Sequence, residues 1–73
     1  MVLYGIQKRQ DRHEKKNDIT KLYLDRNQIE EMAFSIRFLA WRTSDKKEAE
    51  KMLAKVKKAY VGTRYRFDVV EIL

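Results

Sequence analysis

The chain has 73 residues, 44% of them hydrophobic, with three Phe, one Trp and four Tyr, and its 17 Lys+Arg against 11 Asp+Glu leave a net charge of +6. Such a length provides for one small domain over 1–73, too apolar for a disordered tail yet with a modest core. The absence of Cys excludes a disulfide framework or a zinc ribbon and points to the cytoplasm, and the longest apolar runs, Phe38 to Trp41 among them, fall far short of a membrane span.

The first six residues alternate, Val2, Tyr4 and Ile6 against Leu3 and Gly5, which predicts a strand over Met1–Ile6. Lys8 to Asp18 contains no aliphatic or aromatic residue, so a loop or a long hairpin tip is expected there. Alternation resumes from Ile19 to Leu24, and the two strands are expected to pair as an antiparallel hairpin. Asp25 is a competent N-cap, with Gln28 placed to reach back and Leu24 and Ile29 at staple positions. A first helix is therefore expected from there as far as a break in the polar stretch Thr43 to Lys47. Thr43, Ser44 and Asp45 are further N-cap candidates, and Asp45 with Glu48 has capping-box spacing ahead of the apolar set Ala49, Met52, Leu53, Val56, Ala59 and Tyr60. Gly62 suits the C′ position after this second helix, and Arg64 to Leu73 alternates as a closing strand with Tyr65, Phe67 and Val69 on one face. The expected fold is α+β, a small antiparallel sheet packed on one or two helices in the order β-β-α-α-β.

At about 100° per residue, the expected first helix is apolar on two sides. Ile29, Met32, Ala33, Ile36, Leu39 and Ala40 form one stripe, and Phe34, Phe38 and Trp41 form another. One arrangement buries both stripes, with the second helix folding back over the rings. The other runs the two helices into one, so that Phe34, Phe38, Trp41, Ala49, Met52, Val56 and Ala59 form a seam that another chain must cover. In that arrangement Phe34, Phe38 and Trp41 are the anchors of a protein interface, with a host protein or a second copy as partner.

Charge suggests a different partner. The stretch Arg42–Arg66 carries nine Lys/Arg against three acids, which equals the excess of the whole chain. On the wheel Lys47, Lys51, Lys55 and Lys58 form a row opposite Val56, able to track phosphates or simply to be solvated. Lys8, Arg9 and Arg12 lie in or beside the basic loop, and Arg64 and Arg66 interleave with Tyr65 and Phe67 as in binders of single-stranded nucleic acid. These cations are the candidate contacts to nucleic acid or to an anionic nucleotide. A single His13 among Asp11, Glu14 and Asp18 makes a poor metal site, and Gly5 and Gly62 stand too far apart for a phosphate-cradling loop. No cofactor, no metal and no catalysis are expected.

The opening Met1-Val2-Leu3-Tyr4-Gly5-Ile6, the strand entering a cap as Ile19-Thr20-Lys21-Leu22-Tyr23-Leu24-Asp25, and the closing Tyr65-Arg66-Phe67-Asp68-Val69-Val70-Glu71-Ile72-Leu73 together resemble short phage-encoded accessory proteins. The resemblance implies a host-takeover or anti-defence protein that binds and inhibits a host factor, or one that sequesters an anionic nucleotide signal. It assigns no residue a role.

Overall fold

A computed structural model describes residues 2–10 and 21–72. Four strands, β1 (Leu3–Gln10), β2 (Lys21–Leu24), β3 (Phe34–Ser35) and β4 (Tyr65–Ile72), form one sheet in the order β3-β2-β1-β4, and one helix, α1 (Lys46–Ala59), precedes β4. All three pairings are antiparallel, so the α+β class holds. β1 runs four residues past the expected end at Ile6, because pairing with β4 from Leu3↔Ile72 to Gln10↔Tyr65 gives its polar half backbone partners. Lys8 and Arg9 thus belong to a strand, not to a loop. Arg12 and the rest of the expected basic loop, His13 and its carboxylates included, lie outside the described residues.

The order β-β-α-α-β needs correction, because there is no first helix. Asp25 is buried, and its Oδ1 accepts from the Asn27 N–H at 2.7 Å, which makes a local turn in place of the expected cap to Gln28. The Gln28 N–H donates instead to the Asp25 carbonyl, and the Asp25 N–H to the Ala33 carbonyl at 2.9 Å, closing residues 25–33 into a loop. Met32 has φ +54°, which no helix interior tolerates. Phe34 and Ser35 then pair with Leu24 and Tyr23, and Arg37–Leu39 make one 3₁₀ turn. The reason is tertiary: the outer edge of β2 needs a partner, and the sheet needs cover beyond the reach of α1. The loop supplies both, with Ile29 and Met32 packing on the core and Phe34 joining the sheet. A continuous helical seam through Phe34, Trp41 and Val56 is thereby overturned.

The second helix is where its caps put it. The Asp45 carboxylate accepts from the Lys47 N–H at 2.9 Å, while Glu48 accepts the Thr43 hydroxyl at 2.5 Å instead of closing a capping box. Tyr60 is the C-cap, and Gly62 lies two residues beyond it with φ +89°, the left-handed backbone that favours glycine. Ala49 and Val56 are buried beneath α1 with Met52 and Leu53 beside them, against β1 and β4. Strand alternation places Ile6, Leu24, Phe34 and Phe67 on that same face of the sheet, where Ile6, Leu24, Val56 and Phe67 make the core.

An aromatic group closes the open end of this core. Phe67 lies 5.1 Å from Tyr60 and 5.6 Å from Phe34, centroid to centroid, and Tyr60 meets Phe34 and Tyr65 edge-on. The Tyr60 hydroxyl donates to the Met32 carbonyl at 2.6 Å, tying the end of α1 to the strained residue of the 25–33 loop. Tyr60→Phe should cost about 0.5–1.5 kcal/mol of unfolding free energy, measurable by urea denaturation, since a half-buried carbonyl loses its donor.

Candidate functional site

Register decides which side chains share the sheet face opposite α1. Gln7 pairs with Tyr23 and Asp68, and Arg9 with Lys21 and Arg66, so these side chains all project from one surface. The Gln7 amide donating to the Tyr23 hydroxyl at 3.2 Å lies on it. A second, smaller cluster of Tyr23, Ala40 and Ile72 with Val70 covers one end of this face, where the backbone of residues 40–43 crosses. Among the described residues, the other end has no helix over it.

That uncovered end carries a row of three cations on three neighbouring strands: Lys21 on β2, Arg9 on β1 and Arg66 on β4. Lys21 and Arg66 are exposed, and Arg9 between them is half-buried. Directly opposed side chains in a sheet stand about 5 Å apart at Cβ, and like charges there repel. In register Arg9 meets a cation on each side and an acid on neither; among the described residues the nearest acid on this face, Asp68, is one row further along opposite Gln7. An anion lying across the row converts that repulsion into attraction, and guanidinium groups suit phosphate oxygens through paired donors.

The predicted site residues are not brought together. Lys47, Lys51, Lys55 and Lys58 are exposed on the outer side of α1, away from the sheet, so they and the cation row lie on opposite sides of the molecule. Asp45 and Glu48 line the same shallow groove as Lys47, Lys51 and Lys55, so acids are interspersed along that helix face. Lys8 is on the core side, its Nζ 4.3 Å from the Tyr65 ring centroid and 5.5 Å from that of Phe34, where it caps the aromatic group. Arg64 is exposed in the turn before β4. Of the predicted cations among the described residues, Arg9 and Arg66 alone share the row, and the third member, Lys21, is one that sequence reasoning passed over. Its signal is the hairpin register alone, since Lys21 is unremarkable until Arg9 is known to face it.

The three expected interface aromatics are not brought together on one surface either. Phe34 is half-buried among Phe67 and Tyr60, and Trp41 packs on the same core while its backbone N–H donates to the Leu24 carbonyl at 2.7 Å. Phe38 alone stays out, 74% exposed, beside Ile36 at 58%. Among the described residues no helix is long and apolar enough to cross a membrane, and no group of three or more His, Cys, Asp or Glu is placed to hold a metal.

No family model, curated protein or solved structure matches this chain.

Proposed function

We propose that this protein is a non-catalytic binding module that holds single-stranded nucleic acid by its phosphates across the open sheet face. The observation that carries the reading is the Lys21–Arg9–Arg66 row, three cations on adjacent strands with no acid in register. Shape favours a single strand. Four strands at about 4.8 Å spacing make a surface about 15 Å across, too broad for a duplex major groove of about 12 Å, whereas a flexible strand can lie over it. The row supplies electrostatic affinity with little sequence preference, because phosphate contacts position a strand and do not read it.

Three phosphate contacts to a single strand give a slope of about −2 in log K against log salt, or roughly a 20-fold loss of affinity from about 50 to about 200 mM salt. Arg9→Glu, at the centre of the row, should lower affinity for a labelled oligouridine about tenfold in fluorescence anisotropy and flatten that slope by about 0.7 or more. Lys51→Glu with Lys55→Glu, on the far side of the molecule, should change both far less. If the helix pair abolished binding and Arg9→Glu did not, the sheet face would not be the site. Competition by a mononucleotide as effective as the oligomer would make the ligand a single phosphate group instead of a chain.

A second reading, a protein that masks a host factor as the resemblance to phage accessory proteins implies, is favoured by the exposed Ile36 and Phe38 beside edge strand β3. It retains Phe38 of the three predicted anchors. Phe38→Asp should abolish partner capture while leaving oligonucleotide binding intact; the converse pattern discards this reading.

A further inference from the structure

We infer that the free edge of β4 is a self-association surface, on which two copies pair antiparallel about Phe67 to make one continuous eight-stranded sheet. Among the described residues β4 has β1 as its one neighbour in the sheet, and it is eight residues long, without Pro or Gly to blunt it. The hydrogen-bond phase along β1 shows which groups face outward. The Tyr4 N–H donates to the Thr43 carbonyl at 2.7 Å and the Thr43 N–H to the Tyr4 carbonyl at 2.9 Å, so Tyr4 aims both groups away from β4. Alternation then turns Leu3, Gly5, Gln7 and Arg9 toward their β4 partners Ile72, Val70, Asp68 and Arg66. The C=O groups of Tyr65, Phe67, Val69 and Glu71 and the N–H groups of Phe67, Val69 and Glu71 are left for the free edge, while the Tyr65 N–H makes a long bond to the Thr63 hydroxyl at 3.4 Å that pairing would replace.

A second β4 must meet outward groups with outward groups, which forbids any two-fold register centred between residues. Of the remaining registers, the one centred on Phe67 sets Phe67 against Phe67, Tyr65 against Val69, and Arg66 against Asp68 twice over. One step either way opposes Arg66 to itself or Asp68 to itself. In the favoured register the Arg66–Asp68 pairs occupy non-hydrogen-bonded positions, where the Cα atoms lie only about 4.5 Å apart and side chains are closest. Charge complementarity therefore selects a second copy, in a single register. An open cleft of about 530 Å3 beside this edge, lined by Lys57, Tyr60, Thr63, Tyr65 and Phe67, leaves room for the partner's Val69 opposite Tyr65. Arg66 has donors enough to meet a carboxylate and a phosphate together, so the cation row survives in the dimer.

The test is solution mass by sedimentation, with the 8.9 kDa chain expected at twice that mass. Asp68→Arg turns both ion pairs into repulsions on an exposed position and should raise the dimer dissociation constant about 30-fold or more. Arg66→Asp with Asp68→Arg swaps the charges and should restore the dimer, a recovery that loss of folding would not allow. Because the chain has no Cys, mixing Arg66→Cys with Asp68→Cys protein should give a disulfide-linked pair on mild oxidation, faster than either variant alone. A wild-type monomer at millimolar concentration, or a dimer indifferent to Asp68→Arg, would overturn the inference. The outcome is separable from nucleic-acid binding: Arg9→Glu should leave the dimer intact, and Asp68→Arg adds a cation to the binding face.

Discussion

Phe67→Ala is expected to remove about 3–5 kcal/mol of stability, the range for truncating a buried ring. A chain of this length has about 4–11 kcal/mol in total at ordinary values per residue, so the variant should be largely or partly unfolded without denaturant. Phe67 is only 6% exposed, and its ring is shared among Phe34, Tyr60 and Tyr65, so no single neighbour can move in to fill the space. Phe38→Ala, by contrast, should fall within about 0.5 kcal/mol of the parent, because its ring touches little beyond solvent. Urea titration followed by the fluorescence of Trp41, the one tryptophan, measures both. Comparable losses from the two substitutions would show that the apolar surface is divided between core and exterior differently from the arrangement described above.

Gly5→Ala should cost about 1–3 kcal/mol, as overpacking does in a filled interior. A Cβ at position 5 would stand 2.3 Å from Ile72 Cδ1 and 2.9 Å from the Trp41 carbonyl oxygen. Ile72 is 1% exposed and has nowhere to swing, while the Trp41 carbonyl belongs to the backbone that crosses from Ala40 to Thr43. Ile72→Val removes the offending methyl. Alone it should cost about 0.5–1.5 kcal/mol, and combined with Gly5→Ala it should recover part of the glycine variant's loss, the Trp41 oxygen holding back the rest. Strictly additive losses in the double variant would remove this contact as the cause.

The strands and the second helix were legible because their signals are local. Alternation around Tyr4 and Ile6, the Asp45 cap and the alternating Tyr65, Phe67 and Val69 each depend on neighbours in the chain. The first helix was misread from the same kind of signal. Residues 29–40 have helical spacing and a capping residue, but Asp25 satisfies the Asn27 N–H in a turn, and Phe34 gains more in the sheet beside Leu24 than on a helix with two apolar sides. The candidate site was half legible. Arg9 and Arg66 were singled out for separate reasons, and only the pairing of β1 with both β2 and β4 sets them in line with Lys21.

By itself the amino-acid order determined that this is a small, basic α+β chain with a capped lysine-bearing helix over strands, because charge, caps and alternation act between residues near one another in sequence. The tertiary structure alone decided that Phe34 and Trp41 turn inward while Phe38 remains outside. It also decided that the helix lysines and the strand cations face opposite ways, and that β4 lies at the edge of the sheet among the described residues. Those outcomes depend on competition among distant segments for one sheet and one core, and residues nearly sixty positions apart, such as Arg9 and Arg66, become neighbours only when that competition is resolved.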